Sequence, residues 1–322
     1  MRVRCVVRPD GRRGGGWTRV LVNVSGLALV MVSAVPVVRA QSMDDAIFMD
    51  KRVLCAGLVY TREQWTEYWE GSLKRENGNI GTLTTTQATW MGAYGVSNRI
   101  NVLASLPYVW TKASQGVLAG QSGAQDISVG IKVRAFSTPL TTKGTLHGIT
   151  VLSAAVPTTE YTPDFFPMSI GSASRRATAR GILAFQARNG IYVNGSAGYT
   201  RRGNVTLYRV SYYTNNQLFL TNEVQMPDVS DYAVTLGYQR PGLVVPVVLT
   251  RQKTLGGGDI RRQDMPFVSN RMDFTRVDAR VQYVLPMLKA MTVHAGASHV
   301  LTGRNVGQST TVMGGILLAG KL

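Results

Sequence analysis

Residues 94 to 110 read YGVSNRINVLASLPYVW. The opening Tyr94-Gly95-Val96-Ser97-Asn98-Arg99 has turn composition, with Gly, Ser and Asn supplying the special backbone and side-chain bonds that turns use. The remainder alternates strictly. Ile100, Val102, Ala104, Leu106, Tyr108 and Trp110 fall on one face, and Asn101, Leu103, Ser105, Pro107 and Val109 on the other. Side chains of a strand alternate sides, so this strand has one large, apolar face that ends in two aromatic rings. A soluble sandwich could bury such a face. A barrel wall could equally turn it toward lipid.

The rest of the chain decides between them. Period two continues after residue 41, and no stretch there holds helical periodicity beyond two turns. Alternation and turn signals place twelve strands, near 52–66, 82–94, 100–112, 126–137, 146–158, 176–188, 191–202, 223–239, 243–254, 270–284, 290–302 and 309–321. Short connections follow the second, fourth, sixth, eighth and tenth strands: Val96 to Arg99, Ser137 to Thr145, Asn189-Gly190, Arg240 to Gly242 and Pro286 to Lys289. Long ones follow the first, third, fifth, seventh and ninth, while the last connection, around Gly303-Arg304-Asn305, is short. Long and short connections alternating over an even number of strands is the rhythm of an outer-membrane barrel, with short periplasmic turns and longer outer loops. The strands also reach the roughly 9–11 residues that cross a bilayer obliquely.

The two faces agree with that reading. The fourth strand sets Ile127, Val129, Ile131, Val133 and Ala135 against Ser128, Gly130, Lys132 and Arg134; the tenth sets Thr275, Val277, Ala279, Val281 and Tyr283 against Arg276, Asp278, Arg280 and Gln282. The second, fifth and ninth strands are ambiguous, with Val244 to Leu249 apolar on both faces. Lipid offers no hydrogen bonds, so strands that cross it must close into a barrel. The expected fold is an all-β, transmembrane, antiparallel up-and-down barrel of about twelve strands over residues 41–322. Tyr60, Trp65, Trp69, Tyr108, Trp110, Tyr199, Tyr238 and Tyr283 lie near strand ends and are expected in interfacial girdles. Ile131→Arg is expected to be costly and Lys132→Glu to be tolerated, since one faces lipid and the other the lumen.

The N-terminus reads as a leader. Arg2, Arg4, Arg8, Arg12, Arg13 and Arg19 precede an apolar run from Val20 to Val38, and Val38-Arg39-Ala40 has small residues where signal peptidase reads them. Residues 1–40 are therefore expected to be a cleaved signal peptide, with an uncleaved anchor as the alternative. The whole chain carries 35 Lys and Arg against 18 Asp and Glu, a net +17; without residues 1–40 it keeps 28 against 17, or +11. No basic helix or basic-aromatic platform is present for nucleic acid, so outer-membrane lipids and anionic solutes are the expected partners. With Cys5 in the leader, Cys55 stands alone, without disulfide or metal-ligand spacing, and reads as a small buried hydrophobe. Asp44-Asp45 and Asp50 read as a solvated terminus.

Tyr94 to Val102, continuing into Ser105-Leu106-Pro107-Tyr108, resembles the recurring hairpin of a bacterial outer-membrane barrel family, the transporters of the phenol-degradation meta-pathway type. Gln125-Asp126-Ile127-Ser128-Val129-Gly130-Ile131-Lys132-Val133-Arg134-Ala135-Phe136 is similar to that family's next strand, and Gly303 to Gly307 to its final outer turn. The resemblance implies passive passage of small hydrophobic or aromatic compounds, insertion by the barrel-assembly machinery, and residence in a Gram-negative outer membrane. One departure is the C-terminus, which ends in Leu322 where many such barrels end in an aromatic ring; Leu322 stays in phase with Val312, Ile316 and Leu318.

The residues that carry chemistry are few. His294 and Ser298 share a face but sit four residues apart, about 13 Å along a strand, too far for a nucleophile–base hydrogen bond. Neither an enzyme nor a cofactor is expected. Lys132, Arg134, Arg176, Arg180, Arg276 and Arg280 project to the lumen side, with Asp278 between the last two. They read either as a positive constriction for anions or as packing elements paired with carboxylates. Asp126 and Asp231, if they also face inward, would trim the positive excess. Phe165, Phe166 and Phe219 lie in long loops, as a plug, a greasy entry site or loop packing. The expected function is an outer-membrane channel for small solutes. The alternative is a non-transporting structural or adhesive barrel whose lumen is plugged.

Overall fold

The computed structural model describes residues 41–261 and 266–322; the expected leader lies outside them. Twelve long strands form the wall: β1 Val53–Trp65, β2 Leu83–Ser97, β3 Ile100–Ala113, β4 Asp126–Thr141, β5 Gly144–Pro157, β6 Arg176–Ala187, β7 Ile191–Arg202, β8 Val229–Arg240, β9 Leu243–Thr254, β10 Asp273–Val284, β11 Met291–Arg304 and β12 Thr310–Lys321. Each pairs antiparallel with its neighbours in sequence, and β1 pairs with β2 on one side and β12 on the other, Val53 opposite Lys321. The sheet thus closes without an edge, as strands in lipid require.

Exposure follows the expected alternation. Leu58, Tyr60, Ile100, Val102, Tyr108, Trp110, Val129, Ile131, Leu152, Leu183, Val193, Leu236, Val247 and Ile316 all face outward and are exposed, while Val59, Leu103, Val109, Val151, Ile182, Tyr192 and Leu317 are buried within. An apolar exterior on a closed barrel fits hydrocarbon. Together with aromatic rings at both rims and long loops at one end, this is the architecture of a bacterial outer-membrane protein. Tyr60, Tyr108, Trp110 and Tyr199 sit toward the loop end, Tyr238 and Tyr283 toward the turn end.

Three differences from the sequence reading have physical causes. Trp65 and Trp69 are not in the girdle: Trp65 is in phase with inward-facing Val59 and packs beside Ile80, Leu83 and Met168, and Trp69, in the outer hairpin that follows β1, is buried against Gly303. The fourth and fifth strands run on to a two-residue turn, because bulges at Arg134/Phe136 and Pro139/Thr141 shift the alternation without ending the ladder. The eighth strand begins at Val229, not 223, because Glu223–Val224 pairs with Val205–Thr206 in an outer hairpin and Pro227 separates the two.

Candidate functional site: the barrel lumen

The lumen is not empty. Residues 41–50, which have no regular structure, run inside the wall before the chain enters β1. Asp45 organises this segment. Its Oδ2 accepts from the Ser42 backbone N–H (2.6 Å) and hydroxyl (2.9 Å), and its Oδ1 accepts from the Ile47 N–H (2.9 Å), an arrangement in which a short acidic side chain fixes a turn. The turn brings several acceptors to one point, and Lys132 fills it. Its Nζ donates to the carbonyls of Ser42 (2.5 Å), Asp45 (2.9 Å) and Ile47 (3.3 Å) and to Asp45 Oδ1 (2.9 Å). Lys132 is 0% exposed. A buried ammonium is tolerable when fully partnered, and this one is. The expected tolerance of Lys132→Glu is therefore corrected: a carboxylate there would meet Asp45 and three carbonyl oxygens.

Apolar contacts hold the rest of the segment. Met43, Ala46 and Phe48 pack on Ile149, Val151, Ile182 and Ala184 of β5 and β6. Met49, with Met43 beside it, joins Val53, Cys55, Ala93, Leu103, Leu317 and Ala319. This explains why β5 is apolar on both faces: one meets lipid and the other meets residues 41–50. Phe48 lies under Arg134, whose guanidinium carbon is 4.3 Å from the ring centroid, and within 5.7 Å of Lys132 Nζ. At the far end Asn101 Nδ2 donates to Gln41 Oε1 at 2.9 Å. Gly95, from the stretch that opened the sequence reading, permits the segment's exit. A Cβ there would lie 2.0 Å from the Asp50 carbonyl oxygen. Asp44, Asp45 and Asp50 thus line the lumen and not a free terminus: Lys132 holds the turn at Asp45, Arg180 meets Asp44, and the Asp50 backbone packs on Gly95.

Beside the segment lies a chamber of 870 Å³. Its lining includes Arg134, Arg176, Arg180, Arg202, Arg276 and Arg280 together with Asp44, Asp45, Asp50 and Asp231. The strand alternation turns every one of these arginines inward. Carboxylates meet most of them. Arg180 makes two hydrogen bonds to Asp231, at 2.6 and 3.2 Å, and also reaches Asp44 at 3.2 Å. Arg176 pairs with Asp126 at 2.9 Å, Arg276 with Asp278 at 3.1 Å, and Arg280 stands 4.0 Å from Asp278. All six basic residues read from the sequence therefore face the interior, as do Asp126, Asp231 and Asp278. The reading missed Arg202, although it is in phase with Asn194 and Thr200 on β7. It also took the acidic residues of 41–50 for a solvated terminus, because no periodic signal marks the segment.

The loops close over the mouth. Met168 is buried among Ile80 and Leu83, and the Thr111 hydroxyl donates to its carbonyl at 2.6 Å. Tyr161 donates to Asp126 at 2.6 Å and accepts from the Ala173 N–H; burial, with the Asp126 carboxylate beside it, pushes its hydroxyl well above the usual range. Phe219 and Phe267 both stack on Tyr212, with ring centroids 5.0 and 5.2 Å from it. Phe165 points to solvent on a short 3-10 turn, and Phe166 is half-buried. None of Phe165, Phe166 or Phe219 lines the chamber; Phe219 is loop packing.

Comparison with known proteins bears on the fold. No protein-family model matches the chain, and no curated protein matches it. Among solved structures, a COG4313 outer membrane channel from Pseudomonas putida F1 superposes with a TM-score of 0.65 at 11% identity, over 87% of this chain and 100% of that one. The likeness is one of fold, a closed β-barrel. The translocator domain of the autotransporter NalP from Neisseria meningitidis (TM-score 0.44, 11% identity, 86% of this chain and 90% of that one) and a TodX monoaromatic hydrocarbon channel mutant (TM-score 0.40, 10% identity, 85% and 91%) are more distant barrels that decide nothing further.

Proposed function

We propose that this protein is a narrow outer-membrane channel for small solutes, with residues 41–50 forming its constriction. The observation that carries the reading is the 870 Å³ chamber inside a closed barrel, lined by arginine, aspartate, glutamine and threonine side chains. Interiors that serve only as packing are filled at the density of organic crystals; this one retains room for many waters. The likeness in fold to a solved outer membrane channel supports it. The lining favours small organic anions, aromatic acids among them, because guanidinium groups bind carboxylates and stack on rings. The resemblance in the hairpin motifs points to the same aromatic class. Neither line gives support to an enzyme.

The rival reading, a plugged barrel that conducts nothing, draws on Lys132, whose four acceptors lock the segment across the lumen. Planar-bilayer recording and liposome swelling separate the two. The channel reading expects small stepwise conductance from the intact barrel, swelling with benzoate-sized acids but not with disaccharides, and larger steps when residues 41–50 are deleted. Silence from the intact barrel with steps only from the deletion would make it a plugged barrel. Silence from both would sink the channel reading.

A further inference from the structure

A second concavity lies on the other side of the wall, facing lipid. It has a volume of 760 Å³ and takes in Gly181, Gly195, Ala197, Tyr232, Leu249 and Arg251. The ladder shows how it is built. Gly181 of β6 pairs with Ala197 of β7, which pairs with Tyr232 of β8, then Arg251 of β9, then Thr275 of β10. One rung nearer the turns, Leu183, Gly195, Val234, Leu249 and Val277 follow one another in the same way. A Cβ at Gly181 or at Gly195 would meet nothing within 4 Å. The wall is thus scooped out across β6 and β7, between the ridges of Leu183 and Tyr232.

The groove ends at a cation. Arg251 faces outward on β9, three residues from the strand's loop-side end, and Lys253 follows it on the same face, about 7 Å further on. Arg251 Nη1 donates to Thr275 Oγ1 at 2.8 Å. Among the described residues no carboxylate pairs with either side chain. The nearby Asp228 carboxylate is already occupied by the Tyr199 hydroxyl and the Arg202 N–H. A guanidinium turned toward a membrane is unfavourable at depth and tolerated near the interface. Two such cations above a smooth apolar trough have a shape and charge complementary to a phosphorylated, acylated lipid. The long loops mark this end as the outer leaflet, where a Gram-negative outer membrane carries its phosphorylated glycolipid.

We propose that this rung of the wall is a binding site for one outer-leaflet glycolipid of the lipid A type. A phosphate sits on Arg251 and Lys253, and an acyl chain lies along Gly181, Gly195 and Ala197. The site rests on outer-membrane residence and not on the channel reading.

The test is native mass spectrometry of the delipidated full barrel, titrated separately with bisphosphorylated lipid A and with phosphatidylethanolamine. The proposal expects a one-to-one lipid A adduct at least tenfold more populated than the phosphatidylethanolamine adduct at equal concentration. Arg251→Gln combined with Lys253→Gln should reduce it at least tenfold, with partial recovery in Arg251→Lys. Gly195→Leu, which fills open space, should reduce it comparably while leaving both cations in place; Ala197→Leu serves if the first fails to give heat-modifiable folded protein. An unchanged lipid A adduct in the double glutamine variant, or in both groove-filling variants, overturns the site. So does equal binding of phosphatidylethanolamine, which would show a lipid bed without phosphate recognition.

Discussion

Ile131 and Lys132 are adjacent residues that meet opposite solvents. Ile131 is 49% exposed on the lipid face, and Lys132 is fully enclosed on the other. Ile131→Arg places a guanidinium near the bilayer midplane, at a cost of about 2–4 kcal/mol in a barrel. Equilibrium unfolding from liposomes should show a loss of that size, against less than about 0.5 kcal/mol for Ile131→Val if the site merely faces hydrocarbon. Lys132→Met acts differently. It takes the ammonium away from Asp45 Oδ1 and three carbonyls and leaves the carboxylate only its Ser42 and Ile47 donors, and removing one partner of a buried ionic pair costs up to about 3–5 kcal/mol. That energy falls on the docking of residues 41–50 and not on the wall, whose ladder does not involve the Lys132 side chain. Hydrogen exchange should therefore quicken at least tenfold over residues 41–50 and stay unchanged in β3 and β4. Equal exchange in both proteins would mean the apolar contacts of Met43 and Phe48 hold the segment unaided.

At the scale of elements, the outer rim is tied by Asp259. Its carboxylate accepts from Arg304 Nε and Nη2 (2.8 and 2.6 Å) and from Asn305 Nδ2 (2.7 Å), joining the fifth loop to the end of β11. These hydrogen bonds, Arg304 first among them, hold the carboxyl below its ordinary value of 3.8. A group whose pKa is lowered on folding stabilises the folded state above its unfolded pKa and loses that contribution as pH falls through its folded pKa. Protease cleavage within residues 255–272 should accordingly rise as pH drops below 3.8, and Asp259→Asn should show the raised, pH-independent cleavage already at neutral pH. A wild-type loop that stays resistant at pH 2 would mean the tie contributes nothing. Elements were also where the sequence was most readable. The twelve strands were legible because lipid outside and water inside impose period two on most of them, and turn signals placed the rest. Residues 41–50 were not, since an irregular segment stabilised by Lys132, ninety residues away, leaves no periodic trace. Phase slips at Arg134/Phe136 were equally hidden, because a bulge is a property of the pair of strands and not of one. The inward arginines were legible as residues but not as pairs: nothing local to Arg180 says that Asp231 and Asp44 will meet it.

For the whole molecule the lumen charge is the quantity that matters. The segment contributes Asp44, Asp45 and Asp50 to a chamber whose wall carries six arginines. Deleting residues 41–50 removes three carboxylates and no basic residue, so the reversal potential in a potassium chloride gradient should move toward stronger anion preference. Arg276→Gln combined with Arg280→Gln should move it the opposite way. Both shifts should shrink at molar salt, where the screening length falls to about 3 Å. A deletion that conducts but becomes more cation-preferring would contradict the assignment of these groups to the pathway.

The seam between β1 and β12 governs how the chain reaches this state. Leu322, the last residue, donates its N–H to the carbonyl of Arg52, and Val53 lies opposite Lys321. The cylinder cannot shut until its final strand has arrived, so the step that seals it joins the most distant parts of the chain and is intrinsically slow. Residues 41–50 are attached to the waiting edge of that seam. Their contacts with β4, β5 and β6 do not involve the seam, whereas Met49 also meets Leu317 and Ala319 of β12 across it. Removal of the segment should thus leave a barrel that still closes but does so without its internal former, a difference that would appear in the rate of insertion and not in the register of the finished sheet.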